Sequence, residues 1–143
     1  MIINQILFVV SIVFLGLFAG LMLSLITIVE KYWGYMDQAT YAVEFKRFLK
    51  LAKGDPFITV LTLGSFIIPI SLGIIELFSN NLVNATIYLL GGMIFFSGAF
   101  LVTVFLNLPL YKKVSLWKSD ITKNEMSSVK SRFLLLNLIR FFS

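Results

Sequence analysis

The stretch ILFVVSIVFLGLFAGLMLSLITIV, residues 6–29, is a continuous apolar run without a charged residue. As an α-helix rising about 1.5 Å per residue it would be roughly 36 Å long, which exceeds the bilayer's hydrocarbon thickness of about 30 Å. No basic residue precedes the run, and it is longer than the apolar core of roughly 7–15 residues in a cleavable signal peptide. The stretch therefore predicts a membrane-spanning helix.

The composition agrees with this interpretation. Hydrophobic residues make up 59% of the 143 residues and charged residues only 13%, about half the share usual in globular domains. We expect one domain over residues 1–143, and a soluble domain of this size is unable to bury so much apolar surface. The absence of cysteine and histidine excludes disulfides, Ser-His-Asp catalysis and metal sites that need those ligands. We expect no metal and no cofactor.

Two further apolar runs predict spans at 56–78 and 82–106. Only Ser79-Asn80-Asn81 joins them, so the two helices must be antiparallel neighbours. Gly64 and Gly73 lie on either side of an internal proline, Pro69, where small residues let a neighbouring helix approach closely. The predicted fold is an all-α integral membrane protein, an antiparallel bundle of three transmembrane helices.

Two polar segments beside the bundle are each predicted to hold a helix. In residues 38–53 apolar side chains recur at helical spacing, with basic side chains mostly on the other face. Such an amphipathic helix lies either in the membrane interface or against the protein's own spans. A second helix is expected at about 123–142, because Thr122 and Glu125 form a capping box. Its apolar part, 133–142, is too short to cross a bilayer and predicts an interfacial or partial fourth helix.

The basic residues indicate an orientation. Five of them lie between the first two spans and seven after the third, whereas the 79–81 turn and the first five residues carry none. The positive-inside rule then places the N-terminus outside and both basic segments in the cytoplasm. This distribution speaks against nucleic acid as a partner, despite the net charge of +5. The expected partners are the lipid bilayer and either another membrane protein or a second copy of the chain.

Small residues and interfacial residues give candidate packing and anchoring positions. Gly16, Gly20 and Ser24 recur every four residues in the first span, and Gly91 and Gly98 lie seven apart in the third. Residues at these spacings let helix backbones approach, either between the first and third spans or with a second chain. Three residues beyond the third span suit anchoring at the headgroup level: Lys112, Lys113 and Trp117.

Few side chains within the predicted spans suit chemistry. Glu76 is the one acidic or basic residue in a span, but it lies two residues from the span's end. We expect it to lie at headgroup level or to pair with an outer asparagine. Near the end of the third span, Pro109 predicts the end of regular helix bonding, and Asn107 is placed to satisfy a freed backbone group. An active-site interpretation of this segment, which includes Thr103, stays open beside the structural one.

The same segment resembles a motif of the anthrone oxygenase-like family of small membrane proteins. In that motif a span ends in threonine and an Asn-x-Pro segment follows. The residues that carry the resemblance here are Thr103, Asn107, Leu108, Pro109 and Leu110. Trp117 is similar to a tryptophan that often follows the motif, and Asn137 with Arg140 to the Asn-x-x-Arg that opens the family's fourth helix. Tyr111 stands where the family commonly has asparagine, and the fourth span looks truncated at Ser143. The resemblance implies a four-helix membrane bundle.

Two functions remain open from the sequence. A small, uncharged, glycine-faced helical bundle suits an accessory or scaffold subunit that packs against a larger membrane assembly, with the incomplete fourth helix packing on a partner. The resemblance implies the alternative, a cofactor-independent membrane oxygenase-like enzyme or a binding protein for a hydrophobic aromatic substrate. Its candidate residues are Asn107, Thr103, Glu76 and Arg140. We expect the accessory role rather than an enzyme, because histidine, the commonest general base, is absent.

Overall fold

A computed structural model describes residues 2–117 and 122–143, and over these ranges the chain is all-helical. Five helices are formed there: α1 (Ile2–Gly34), α2 (Gln38–Gly54), α3 (Pro56–Phe78), α4 (Leu82–Ser115) and α5 (Lys123–Phe142). α1, α3 and α4 are long and apolar enough to cross a membrane. The predicted all-α class is confirmed, together with three helices of spanning length and composition.

Side-chain caps fix the starts of the later helices. Each of α2 to α5 is preceded by a residue whose side chain accepts a hydrogen bond from a first-turn backbone N–H, as N-caps do: Asp37, Asp55, Asn81 and Thr122. At Asp37, hydrogen bonds from the hydroxyl and backbone N–H of Thr40 lower the pKa of the carboxyl, so this cap stays ionised at neutral pH. Glu125 forms an ion pair with Lys113 of α4 at 3.3 Å, which ties the start of α5 to the bundle.

α3 is the centre of the three long apolar helices and packs against both α1 and α4. Glycines mark its close approaches. Gly64 lies directly against the ring of Phe14 in α1, and a Cβ at Gly73 would lie 2.6 Å from Cγ of Leu89 in α4. These glycines flank Pro69, as the sequence predicts, and α3 continues through the proline.

The two ends of the bundle differ in character. We call the end that carries the 79–81 turn the hairpin end, and the end that carries α2 the basic end. In the half of the bundle nearest the basic end, the second half of α5 packs against α1 and α4 as a fourth member. It buries Phe133, Leu136, Asn137 and Arg140. This face of α5 is covered within the chain. Leu135 and Phe142 of the same helix are exposed, and the packing of α5 on a partner protein stays a prediction.

A cluster at the basic end, the basic-end core, joins α1, α2, α4 and α5. It consists of Trp33, Tyr41, Phe45, Leu49, Leu110, Val114, Val129, Phe133 and Leu136. The ring of Trp33 makes edge contacts with Tyr41 and Phe45, with centroids 5.9 and 5.0 Å apart. The apolar face of α2 is therefore buried against the protein's own helices. Of the two placements expected for residues 38–53, the structure shows the apolar face of α2 packed against the protein's own helices.

α1 and α4 run further than the predicted spans, to Gly34 and Ser115 rather than to 29 and 106. α4 does not end at Pro109, but its regular α-helical bonding is interrupted just before the proline. A proline ring in a helix clashes with the carbonyl four residues earlier, here that of Phe105. The turn that contains Phe105, Thr103–Asn107, is π-helical. This wider turn relieves the clash and lets α4 continue.

Candidate functional site

The guanidinium of Arg140 is buried inside the bundle, with the residue 6% exposed. Nη1 donates a hydrogen bond to Oδ1 of Asn137 at 3.1 Å, and Cζ lies 5.4 Å from the ring centroid of Phe18 in α1. The hydroxyl of Tyr111 in α4 is its other polar neighbour. Nε has no hydrogen-bond partner, and no carboxylate lies within ion-pair distance, among the described residues. Arg140 is therefore a buried cation without a counter-ion in this part of the chain.

Arg140 lines a cavity of about 250 Å³ at the meeting point of all five helices. The walls are mostly apolar, with Met22 from α1, Phe48 from α2, Leu63 from α3, Phe100 from α4 and Phe133 from α5 among them. Such a site, with a few polar groups on apolar walls, is typical of small-molecule pockets. Lys53 and Thr59 line the side towards the basic end.

The threonines of the cavity wall are already hydrogen-bonded within their own helices. Thr62 donates its hydroxyl proton to the carbonyl of Ile58 at 2.8 Å, and Thr103 donates its own to the carbonyl of Ala99 at 2.7 Å. The hydroxyl oxygens can still accept a hydrogen bond. Deep in the cavity, the groups free to donate to a bound molecule are therefore the Arg140 guanidinium and the Tyr111 hydroxyl.

The long helices change winding around this cavity. α1 is π-helical over Leu25–Val29, and α4 is π-helical over Phe96–Leu101 and Thr103–Asn107. The backbone N–H of Leu108, for example, donates to the carbonyl of Thr103, five residues back. α5 packs against all three segments. Such wide turns occur frequently at functional sites. These turns are not predictable from the sequence, because hydrophobic periodicity does not register a single wide turn.

Asn107 lies next to the cavity wall and is 0% exposed. Thr103, Asn107 and Tyr111 recur every four residues along one side of α4, and the first and last of them line the cavity. Both polar atoms of the Asn107 side chain lack a hydrogen-bond partner among the described residues. The expectation that Asn107 satisfies a freed backbone group is therefore wrong. An unpaired buried amide is costly, so Asn107 is a further buried side chain left unsatisfied among the described residues.

Glu76 belongs to the other end of the molecule. Its carboxylate accepts hydrogen bonds from the side-chain amides of Asn4 at 2.9 Å and Asn81 at 2.8 Å. The predicted pairing of Glu76 with an asparagine is confirmed, while the side of the membrane stays a prediction. Glu76 lies fourteen residues beyond Thr62 on α3, roughly 21 Å along the helix. Of the predicted site residues, the structure brings Thr103 and Arg140 to one cavity; Asn107 does not line that cavity, and Glu76 lies far from it.

The predicted packing glycines divide into two groups. Gly16, Gly20 and Gly91 are exposed, with open space where a Cβ would stand. Gly98 instead lies against Ser143 at the end of α5. The first group does not pack inside the described chain, so packing against a second chain stays a prediction for these positions; Ser24 is partly buried.

The predicted interface anchors also divide. Lys112 and Lys113 are exposed, and Lys113 is paired with Glu125. The ring of Trp117 packs on the basic-end core, 6.1 Å from that of Phe45, and its Nε1 is buried without a partner among the described residues. This inward position does not suit an anchor whose N–H must reach the headgroups.

A separate group of polar side chains lies beside the basic-end core. Glu30 forms an ion pair with Lys130 at 3.2 Å, and Nζ of Lys130 lies 5.7 Å from the ring centroid of Tyr41. Burial and then the charge of Glu30 raise the pKa of the Tyr41 hydroxyl, which is therefore neutral across the physiological range. We interpret this group as a link between α1, α2 and α5. Among the described residues, no group of three or more acidic side chains is close enough together to hold a metal ion.

Comparison of this chain with protein families, with curated proteins and with solved structures gives no match.

Proposed function

We propose that this chain is a small membrane protein that binds an apolar, preferably aromatic, molecule with an acidic group in the cavity beside Arg140. The observation that carries the proposal is the Arg140 guanidinium, which is buried in the wall of an apolar cavity without a carboxylate partner among the described residues. The proposal favours the binding role over the accessory role expected from the sequence.

The charge argument supports an anionic ligand. A buried charge without a counter-ion is strongly unfavourable, and an ionisable group in a membrane bundle marks a binding or transport pathway by default. Asn137 and the Phe18 ring offset part of this cost but bring no negative charge. A carboxylate or phenolate in the cavity would supply it, with the Tyr111 hydroxyl as a second donor.

The size of the cavity supports a small ligand. Its volume of about 250 Å³ lies just below the range of about 300–1,000 Å³ typical of small-molecule sites. Phe48, Phe100 and Phe133 line it, which suits one or two aromatic rings. The resemblance to the anthrone oxygenase-like family supports the same ligand class. If the chain is an enzyme of that type, Arg140 and Tyr111 are the groups that would hold the anionic oxygen of its substrate.

The test is the binding of 2-naphthoate and of its uncharged analogue 2-naphthamide by the full chain in mild detergent, measured by equilibrium dialysis. Arg140→Gln removes the buried cation. Arg132→Gln is the matched control, because Arg132 lies on the same helix and is exposed. We expect naphthoate to bind the wild type and Arg132→Gln equally, and Arg140→Gln at least about tenfold more weakly, as for a lost charge-assisted hydrogen bond. Equal binding to all three proteins would reject the proposal.

The accessory role is a second proposal, and one observation favours it. Gly16 and Gly20 are exposed on one side of α1, where they open a smooth strip to the outside. Such strips let a second helix approach closely. Native mass spectrometry of the detergent-extracted chain tests this role. We expect the wild type to carry a stoichiometric partner or a second copy of the chain. The double variant Gly16→Ile with Gly20→Ile should lose it, whereas the control double variant Leu17→Ile with Leu23→Ile should retain it. A wild-type chain that is monomeric and free of partners would overturn it.

We further propose that the N-terminus and the hairpin end lie outside and the basic end in the cytoplasm. The distribution of basic residues supports this orientation, since they all lie within residues 31–53 or after residue 107 and the hairpin end carries none.

A further inference from the structure

A groove runs along the junction of α2 with the basic-end part of α4. Its volume is about 1220 Å³, and it is separate from the Arg140 cavity, with Lys53, Leu108 and Tyr111 in the wall between the two. None of the described residues that line it is acidic. Five cationic side chains do line it: Lys46, Arg47, Lys50, Lys53 and Lys112.

The chemistry of the groove changes along α4. Val104 and Leu108 form an apolar section next to the part of α4 that is apolar enough for a membrane. Lys112 and Ser115, one and two turns further on, line the polar section with the cations of α2. An apolar section at membrane depth thus continues into a cationic section beyond it, the order in which a phospholipid presents its acyl chain and its phosphate.

We propose that this groove binds one anionic glycerophospholipid of the adjoining leaflet. An acyl chain lies along Val104 and Leu108, and the phosphate lies among Arg47, Lys50 and Lys112. Basic pockets beside membrane helices recognise anionic headgroups through charge and hydrogen bonds. The like charges of the groove repel one another, so a bound anion also relieves that repulsion. An acidic peptide would match the cations but leave the apolar section without a partner.

The experiment compares two triple variants of the full chain with the same loss of charge. Arg47→Gln, Lys50→Gln and Lys112→Gln remove cations of the groove, and none of these residues lines the Arg140 cavity. Lys31→Gln, Lys123→Gln and Arg132→Gln form the control, since these residues are exposed and lie outside the groove. Native mass spectrometry then counts bound phosphatidylglycerol, phosphatidylcholine with the same acyl chains, and soluble glycerol 3-phosphate.

We expect the wild type and the control triple to retain one phosphatidylglycerol in preference to phosphatidylcholine, and the groove triple to lose that preference by about tenfold or more. An equal loss in both triples would overturn the proposal, because the binding would then follow net charge. Undiminished retention by both would also overturn it, because the groove cations would then play no part. Tight binding of glycerol 3-phosphate would assign the groove to a free phosphate compound. An acidic polypeptide that replaces the lipid would assign it to a protein partner. Because naphthoate binding is measured separately, failure here leaves the Arg140 proposal standing.

Discussion

The carboxylate of Glu76 accepts a hydrogen bond from the side-chain amide of Asn4, which is 72 residues away in the chain, at 2.9 Å. Its second oxygen accepts one from Asn81 at 2.8 Å. One carboxylate thus ties the start of α1 to the end of α3 and to the turn that leads into α4. An acidic residue near the end of a span acts here as a structural tie.

We expect Glu76→Gln to lower the free energy of unfolding by about 1–2 kcal/mol, because a neutral amide accepts only one of the two hydrogen bonds and without charge assistance. Thermal unfolding in detergent, followed by far-UV circular dichroism, measures the loss. Glu44→Gln is the control, since Glu44 has no hydrogen bond or ion pair among the described residues. A shift of the same size in both variants would mean that the tie contributes nothing specific.

Neighbouring glycines in α4 provide a matched pair. A Cβ at Gly92 would lie 2.6 Å from Cγ1 and 3.3 Å from the backbone nitrogen of Ile70, whereas one at Gly91 would meet nothing within 4 Å. We expect Gly92→Ala to destabilise the chain by about 1–3 kcal/mol through overpacking. Gly91→Ala should be neutral or stabilising by up to about 1 kcal/mol, from helix propensity. Thermal unfolding of the two variants in detergent measures both effects. If Gly91→Ala were more destabilising than Gly92→Ala, the result would contradict the packing of α3 on α4.

Arg140→Met should separate folding from ligand binding. In the ligand-free chain it removes a hydrogen bond to Asn137 and a contact with Phe18, but also an unpaired buried charge. We therefore expect stability to stay within about 1 kcal/mol of the wild type or to rise. Unfolding of delipidated, ligand-free protein measures this, with Arg132→Met as the exposed control. A loss above about 3 kcal/mol would show that the cation already has a partner in the folded chain.

Asn107 offers a test of an unpaired buried amide. Asn107→Leu keeps similar volume and removes two polar atoms that have no partner among the described residues. We expect it to stabilise the ligand-free chain by about 1–2 kcal/mol. Asn124→Leu, at an exposed position, should bring no such gain. If Asn107→Leu destabilises the chain instead, the amide has a bound partner, which mass spectrometry of the extracted protein would identify.

The orientation can be tested without background labelling, because the chain contains no cysteine. Ser79→Cys places a thiol at the hairpin end and Ser128→Cys one at the basic end, both at exposed positions. With intact cells that express either variant, a membrane-impermeant maleimide should label S79C and spare S128C, and disrupted cells should give labelling of both. Labelling of S128C alone in intact cells would reverse the proposed orientation.

Local patterns in the sequence predict the helices well where a cap or a proline marks the start. Pro56–Phe78 matches the predicted span, and α5 begins after Thr122, whose hydroxyl accepts the N–H of Glu125. Hydropathy underestimates α1 and α4, because both continue past their apolar stretches as packed helices that end at Gly34 and Ser115.

The sequence pattern of an apolar helix face does not predict which surface packs against that face. The spacing of Tyr41, Phe45 and Leu49 predicts a face that needs cover, but a bilayer and another helix satisfy that need equally well. The cover here comes partly from Phe133 and Leu136 in α5, more than eighty residues along the chain. For the same reason the sequence lists Arg140 and Thr103 as separate candidates, and only the packing of α5 beside α4 brings them to one cavity.

The wide turns of α4 also determine where this helix tolerates a change of length. A π-turn contains one residue more than the α-helical turn it replaces, so removing a residue from it restores regular winding and leaves the flanking faces aligned. Removing one from a regular segment, such as Leu82–Phe95, rotates everything downstream by about 100°. Single-residue deletions within Phe96–Leu101 should therefore preserve the fold and narrow the cavity. The length of α4 can in this sense be changed to alter the size of the cavity.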